Sequence, residues 1–280
     1  MGINLHHDAG LVAIMRDDGG LRAHCGADST EFAVESPEST AGNAPAADAA
    51  HGEFPRRVTS FRSRRSALSD AQQRTWERLW PQLGTEARSG DTPAGRLDTT
   101  AWFGRTAPVV LEIGSGTGTS TLAMAQAEPD VDVVAVEVYR RGLAQLLSAI
   151  DRSGVTNIRL VRGDGVDVLE HMFGPGSLTG VRVFFPDPWP KARHHKRRLL
   201  QPETVALIAD RLRPGGVLHA ATDHADYAEQ IAEVGDAEPR LRRVTPGDGL
   251  PISVRRPVTK YEGKAHTVGS AIAELVWERR

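Results

Sequence analysis

The sequence lacks several features that would point to particular classes of protein. Its 280 residues include a single cysteine, Cys25, so an internal disulfide and a cysteine-based metal site are both excluded. No run approaches the roughly 18 apolar residues of a membrane-spanning helix. The N-terminus also lacks the basic and then apolar pattern of an export signal. These absences predict a protein without a membrane partner and with a cytoplasmic location.

An excess of one charge is also missing, since 34 Lys and Arg nearly balance 36 Asp and Glu. The distribution along the chain is uneven. Residues 1–54 hold two Arg against nine Asp or Glu, whereas residues 55–280 hold 32 basic against 27 acidic groups. The first segment contains few aromatics and includes the tract AGNAPAADAA, so we predict an acidic, disordered extension over residues 1–54.

Residues 55–107 are predicted to form a basic arm, a helix and a connecting loop. Five arginines lie between residues 56 and 65, and both a phosphate-contacting arm and a solvated face fit them. Ser69 and Gln72 make a capping-box pattern, which predicts that a helix begins after Ser69. The stretch at 84–107 is rich in Gly, Thr, Arg and Pro, which is typical of a loop.

From residue 108 onward, short apolar runs alternate with helical segments. The runs VVLEI, VDVVAVE, NIRLVRGD, VRVFFPD and GGVLHAATD predict five strands. Strands that are connected through helices pair in parallel, with helices on both faces of the sheet. A last run, SAIAELVWE, is expected to fold back as an antiparallel final strand. The predicted fold of residues 108–280 is therefore a doubly wound, mostly parallel α/β sheet of the Rossmann-like type.

A glycine-rich turn follows the first predicted strand, with Gly114, Gly116 and Gly118 in the spacing G-x-G-x-G. Glycine at such positions permits backbone angles and a close approach to a ligand that a side chain would block. A dinucleotide fingerprint requires Gly or Ala at position 119, where this chain has Thr119. The turn is typical of a nucleotide-like ligand, but its spacing argues against NAD.

Acidic residues lie at the predicted carboxyl ends of three strands. Glu112 precedes the glycines, Glu137 ends the second strand and Asp164 ends the third, so three carboxylates are expected at one rim. Glu137 is predicted to accept hydrogen bonds from ribose hydroxyls. A pyrophosphate would be repelled by these charges, whereas a cofactor with an ammonium and a sulfonium would not. The pattern therefore favours S-adenosylmethionine as the cofactor.

The stretch FFPDPWPKARHHKRR places one acid beside five basic residues. Pro186 and Pro188 fix two φ angles, so Asp187 is expected at the rim on a stiff, extended corner. Its two oxygens suit the N1–H and exocyclic amine of guanine, with N7 on the other side of the base facing a methyl donor. N7 carries a free lone pair, so positioning rather than general-base catalysis is expected. Trp189 fits both stacking on the base and packing in the core.

Basic residues after this corner predict a surface that contacts RNA phosphates, with a solvated helix start as the alternative. The residues of this predicted surface are Arg193, Lys196, Arg197 and Arg198. His194 and His195 have no third ligand at a suitable spacing, so no metal site is expected.

Six motifs resemble those of the bacterial tRNA (guanine-N7-)-methyltransferases, over residues 56–278. They are RRVTSFRSRR, LEIGSGTG, VVAVEV, VFFPDPWPKARHHKRR, ATDHADYA and TKYEGKAHTVG. The resemblance implies methyl transfer from S-adenosylmethionine to N7 of a guanine in tRNA, at position 46 of the variable loop. It implies cofactor-site roles for Glu112, Glu137, Asp164 and Asp187, with Asp187 close to the chemistry. It also implies substrate contacts by Lys191, Asp223, Thr259, Lys260, Tyr261 and Glu262.

Two alternatives remain open at this point. One is a methyltransferase of the same fold that acts on a small molecule or a protein, against which the basic residues argue. The other is an RNA-binding or scaffolding subunit without turnover, against which the intact carboxylates and glycines argue.

The acidic extension departs from the family's usual compact length, and monomer and homodimer are equally compatible with the sequence.

Overall fold

A central sheet organises the part of the chain that the computed structural model describes, which is residues 67–247, 249–257 and 272–280. The strands are β1 (Gly84–Glu86), β2 (Arg88–Ser89), β3 (Thr92–Pro93), β4 (Val109–Ile113), β5 (Asp132–Glu137), β6 (Ile158–Arg162), β7 (Leu178–Phe184), β8 (Leu212–Thr222), β9 (Leu241–Arg243) and β10 (Ala273–Arg279). Eight of them form the sheet, in the order β1-β6-β5-β4-β7-β8-β10-β9, and β2 and β3 form a separate hairpin.

Helices connect these strands. They are α1 (Asp70–Leu83), α2 (Thr99–Phe103), α3 (Thr119–Ala127), α4 (Arg140–Ser153), α5 (Gly165–Asp167), α6 (Pro202–Arg211) and α7 (Ala225–Ala237), with a π-helical turn at Val168–Met172 and a 3₁₀ segment at Ala192–Arg197. The capping box predicted at the start of α1 is present, since Ser69 and Gln72 each accept a hydrogen bond from the other's backbone N–H. The longest helices described, α1 and α4, have 14 residues each, and none is long and apolar enough to cross a bilayer.

The strand pairing confirms the predicted sheet. Strands β1, β6, β5, β4, β7 and β8 run parallel to one another, whereas β10 is antiparallel to both of its neighbours, β8 and β9. The chain runs from β4 to β5 and β6 on one side and then crosses to β7 and β8 on the other. The direction of winding therefore reverses between β4 and β7, and a ligand is expected outside the carboxyl ends of these two strands.

The core lies on both faces of the sheet. Every residue of β4, β5 and β7 is buried. In β5, Val133 and Ala135 pack in one apolar cluster with α4, while Val134 and Val136 pack in the other. Burial on both sides explains why these strands are nearly continuous apolar runs in the sequence.

The prediction of a connecting loop at 84–107 is wrong in part. This stretch contains β1, which pairs in parallel with β6, the hairpin of β2 and β3, and helix α2. Strand β1 has only three residues, too few for an alternating pattern to be visible in the sequence. The three-residue strand β9 was also absent from the prediction, for the same reason. The acidic extension and the arginine arm lie outside the described residues.

Candidate functional site

The glycine turn after β4 borders open space. Gly114, Gly116 and Gly118 have φ values of 79°, 57° and 77°, in the left-handed region that favours glycine. A Cβ atom added to Gly114 or Gly116 would meet no atom within 4 Å, whereas one on Gly118 would lie 2.5 Å from Leu146 Cδ1. The first two glycines therefore leave room for a ligand, and the third allows α3 and α4 to pack closely.

The Glu137 carboxylate links this turn to the end of β5. Its two oxygens accept hydrogen bonds from the backbone N–H of Gly116 and of Tyr139, both at 2.9 Å. A Cβ on Gly142 would lie 2.2 Å from the Gly116 carbonyl oxygen, so only glycine at position 142 allows this close approach. Burial raises the pKa of the Glu137 carboxyl, hydrogen bonds from the backbone of Tyr139, Gly116 and Val138 oppose that shift, and the negative charge of Asp187 adds to it.

Glu112 lies within β4 and is only 3% exposed. It therefore sits beneath the rim, whereas the sequence predicted a carboxylate at the rim itself. One oxygen accepts a hydrogen bond from Thr121 Oγ1 at 2.9 Å. The other, Oε2, is buried without a hydrogen-bond partner among the residues that the structure describes. Burial raises the pKa of Glu112 to about 7, against the lowering effects of the Arg182 charge and the Thr121 bond. Arg182 is its register partner on β7.

Asp187 follows β7 on a backbone corner with unusual dihedral angles. Phe185 and Trp189, on either side of the Pro-Asp-Pro unit, have φ values of 50° and 44°. Bulky residues avoid this region unless their surroundings hold them there. The Phe185 N–H donates to the Ala221 carbonyl at 2.8 Å, which fixes one end of the corner to β8. Asp187 follows the end of β7 and Glu137 is the last residue of the parallel strand β5, so both lie at the same end of the sheet. The charge of Asp187 also raises the pKa of Glu137.

Two further predicted acids lie at neighbouring strand ends. Asp164 is the N-cap of α5 and accepts a hydrogen bond from the Val166 N–H at 2.8 Å. Asp223 directly follows β8 and is exposed. Five consecutive strands of the sheet thus carry one acid each at or near their carboxyl ends. In sheet order, these are Asp164, Glu137, Glu112, Asp187 and Asp223.

The predicted RNA surface divides into exposed residues and one buried residue. Lys191, Arg193, Lys196 and Arg197 are exposed, in and just before the 3₁₀ segment. Arg198 is 1% exposed, and its guanidinium donates hydrogen bonds to three acceptors within the protein. The structure contradicts the phosphate-contact prediction for Arg198, because this side chain is inaccessible to a polynucleotide.

The position of Trp189 decides between its two interpretations. The side chain is 7% exposed, the Arg197 guanidinium carbon lies 5.0 Å from its ring centre, and His194 packs edge-on at 5.8 Å between ring centres. A ring that is covered in this way offers no face to a base. Packing in the core is therefore the role that the structure supports.

Val138 is a candidate site residue that sequence reasoning missed. It follows Glu137 directly and, at 39% exposed, is the large hydrophobic residue that the described ranges leave exposed. An apolar side chain next to a carboxylate that is predicted to bind ribose hydroxyls is a suitable surface for the flat face of a purine. Its position immediately after the acid at the end of the second strand was a signal in the sequence.

Arg256 is a second residue that was missed, because an arginine in a loop normally indicates a surface charge. Its side chain is 3% exposed, pairs with Glu274 at 2.9 Å and lies 4.9 Å from the ring centre of Phe185. It thus packs on the corner that carries Asp187. The predicted substrate residues Thr259, Lys260, Tyr261 and Glu262 follow it in the chain and lie outside the described residues.

One group of potential metal ligands is present among the described residues, formed by Asp167, Glu170 and His171 with ligand atoms within 4.8 Å of one another. Asp167 already accepts two hydrogen bonds from Arg88, at 2.6 and 2.8 Å. Exposed groups of this kind are common without an ion. The group therefore supports no metal assignment.

Comparison with known proteins places the chain in a family. A family model described as "Putative methyltransferase" matches residues 106–275, a span that contains the glycine turn, the five acids and the corner. The chain thus belongs to a family of methyltransferases. A tRNA (guanine-N(7)-)-methyltransferase of Mycolicibacterium vanbaalenii is 75% identical over 254 residues, covering 88% of this chain and 95% of that protein. The protein of the same name from Mycobacterium ulcerans is 61% identical over 279 residues, covering 95% of this chain and 100% of that protein.

The chain therefore belongs to the tRNA (guanine-N(7)-)-methyltransferase family. Because the match to the Mycobacterium ulcerans protein covers 95% of this chain, it extends into the acidic first 54 residues. Among solved structures, the 16S rRNA methyltransferase KamB overlaps 68% of this chain and 97% of its own, with a TM-score of 0.44 and 18% identity.

Proposed function

We propose that this protein transfers a methyl group from S-adenosylmethionine to N7 of a guanine in tRNA. The observation that carries the proposal is the placement of Glu137, bound to the glycine turn, at the same end of the sheet as Asp187 on the proline corner. A carboxylate for the cofactor and one for the base lie at the end of the sheet where the winding reverses. The names of relatives that match 88% and 95% of the chain specify methylation of guanine N7 in tRNA.

The residues at the glycine turn fit the proposed cofactor. The open space over Gly114 and Gly116 accepts a ligand, and Glu137 presents buried carboxylate oxygens suited to ribose hydroxyls. The buried Glu112 Oε2, which has no hydrogen-bond partner among the described residues, is an acceptor that suits a cationic group. Val138 offers an apolar surface for the adenine. When bound, S-adenosylmethionine supplies an electrophilic methyl group on a sulfonium.

Asp187 orients the guanine in this proposal. Its two carboxylate oxygens accept hydrogen bonds from N1–H and from the exocyclic amine, which leaves N7 on the opposite side of the base free to face the methyl group. N7 has an in-plane lone pair and no proton, so no general base is required. Rate enhancement then comes mainly from positioning, which contributes up to roughly 7 to 11 kcal/mol. Adenine has no N1–H and fits this carboxylate poorly.

The exposed basic residues Lys191, Arg193, Lys196 and Arg197 are proposed to contact the tRNA, since cations that displace counterions dominate binding to a polynucleotide. Asp223 and the segment Thr259–Glu262 are proposed as further substrate contacts, and Asp164 as a further cofactor contact. Methylation at position 46 in the variable loop and a cytoplasmic location are part of the same proposal.

A transfer assay with labelled S-adenosylmethionine and unmodified tRNA tests this function. The expected product is tRNA that carries label as 7-methylguanosine, and chemical cleavage at the modified base locates the position. Label in protein or small molecules alone would support a methyltransferase with another substrate. Tight binding of tRNA without any transfer would support a scaffolding subunit, and either result would contradict the proposal.

A further inference from the structure

We infer that Arg198 is a positioning residue for methyl transfer, whose buried guanidinium holds the corner carrying Asp187 against helix α7. This inference rests on the role proposed above for Asp187. It assigns to Arg198 a function different from that of the basic residues that precede it in the sequence. Those residues face solvent, whereas Arg198 faces the interior.

The guanidinium of Arg198 contacts four groups at once. Nε donates to the Pro188 carbonyl oxygen at 2.8 Å, Nη1 donates to Gln230 Oε1 at 2.7 Å, and Nη2 donates to the Asp226 carboxylate. The guanidinium carbon also lies 4.8 Å from the centre of the Tyr227 ring. The planar fork of arginine can satisfy three acceptors and a ring face together, which the single ammonium of lysine cannot.

The contact with Pro188 acts on the residue next to Asp187. Proline has no backbone N–H, so its carbonyl is the one backbone group through which Pro188 can be held by a hydrogen bond. The corner ends at Phe185 and Trp189, both in the left-handed region, where such residues stay only when neighbouring groups fix them. The Phe185 N–H is bound to Ala221, and Arg198 supplies the corresponding bond at the other end.

The same guanidinium connects the two chain segments that carry the predicted site residues Asp187 and Asp223. Asp226, Tyr227 and Gln230 all lie on α7, which begins two residues after Asp223 at the end of β8. The Tyr227 hydroxyl accepts a hydrogen bond from the Leu200 N–H at 3.1 Å, which also ties the chain after Arg198 to this helix. Arg198 therefore connects the segment carrying Asp187 to the segment carrying Asp223.

The test compares Arg198→Gln with Lys196→Gln, which removes an exposed positive charge two residues away. For Arg198→Gln we expect kcat at saturating tRNA to fall by about 10- to 100-fold, since misplaced reacting groups lower the rate. The salt dependence of tRNA binding should keep its wild-type slope. For Lys196→Gln we expect a higher KM for tRNA and a salt slope smaller by about one. If Arg198→Gln lowers the salt slope and leaves kcat at the wild-type value, the inference is wrong.

A second variant guards against misfolding of Arg198→Gln. Gln230→Met removes one acceptor of the guanidinium at a site away from the rim, and we expect kcat to fall by about three- to tenfold with an unchanged salt slope. Wild-type kcat in this variant, with Arg198→Gln unable to fold, would also overturn the inference.

The double variant Asp187→Asn with Arg198→Gln separates positioning from a general structural role. If Arg198 acts through Asp187, the double variant transfers methyl no more slowly than Asp187→Asn alone, because residues that act as a unit are not additive. Losses that multiply would show that Arg198 acts elsewhere. Wild-type turnover in Asp187→Asn would instead refute the proposed role of Asp187, so the two failures are distinguishable.

Discussion

The two halves of the site are built in different ways. Around β4 and β5, the geometry comes from glycines and backbone N–H groups, as in the bond from Gly116 to Glu137. Around β7 and β8, it comes from buried arginines: Arg198 binds the Asp187 corner, and Arg256 packs on Phe185. We call these regions the cofactor half and the substrate half, after the roles proposed for them. The cofactor half is fixed by short turns next to strands, and the substrate half by side chains that meet from distant parts of the chain. Substitutions that disturb the substrate half should therefore be spread more widely along the sequence.

The largest expected effect is on the substrate half, in Asp187→Asn. The amide keeps the size of the side chain, but one acceptor oxygen becomes a donor that faces the donors of guanine. We expect turnover to fall by about a hundredfold to a thousandfold, similar to the loss of one group aimed at a reacting centre. Rates at saturating tRNA and cofactor measure this. The fold should be retained, as should most of the cofactor affinity, and wild-type turnover would contradict the role of Asp187.

Glu112→Gln tests a feature of the cofactor half that does not come from the backbone. Glu112 offers a buried side-chain acceptor that has no hydrogen-bond partner in the described part of the chain. Burial raises the pKa of Glu112 from 4.5 to about 7 in the folded protein. Between these values the unfolded chain has lost the proton that the folded protein keeps, so the stability contributed by this group falls as the pH rises from 4.5 to about 7. Above pH 7 the full penalty, at most about 3 kcal/mol, is present.

Glutamine does not titrate and can still accept the hydrogen bond from Thr121. The melting temperature of cofactor-free Glu112→Gln should therefore exceed that of the wild type by several degrees at pH 8 and by less at pH 5. Thermal unfolding across this pH range measures the difference. Glu229→Gln, which changes an exposed residue of α7, is the control. A difference between Glu112→Gln and wild type that does not vary with pH would show that Glu112 ionises normally in the fold.

The difference between the halves also explains how far the sequence could be interpreted. The parallel sheet, its antiparallel final strand and the glycine turn were predictable, because apolar runs and glycine spacing are local patterns. The buried roles of Arg198 and Arg256 were not predictable, since they depend on acceptors far along the chain: Gln230 and Asp226 for Arg198, and Glu274 for Arg256. Arg198 lies within a basic run, where burial of one member leaves no trace in the sequence.

Gly116→Ala probes the backbone geometry of the cofactor half. Alanine is strained at the φ of 57° found there, and its Cβ would enter the open space over the turn. Gly104→Ala is the matched control, because Gly104 has a φ of 73° and equally open surroundings at the end of α2. Both variants should lose about 1 kcal/mol of stability, whereas Gly116→Ala alone should bind the cofactor about tenfold more weakly. Calorimetric titration with S-adenosylmethionine separates them, and equal affinities would show that Gly116 does not border the ligand.

The smallest expected effect concerns the exposed part of the basic run, which is proposed to contact the tRNA rather than the reacting groups. The double variant Arg193→Gln with Lys196→Gln should weaken tRNA binding several-fold at physiological salt and reduce the slope of log K against log salt by about two. Arg213→Gln removes an exposed charge at the start of β8, at the opposite end of the sheet, and serves as the control. Binding measured from low to high salt gives both slopes. Equal slopes for the double variant and the wild type would mean that this run is a solvated surface, and the tRNA would then have to be held by other residues.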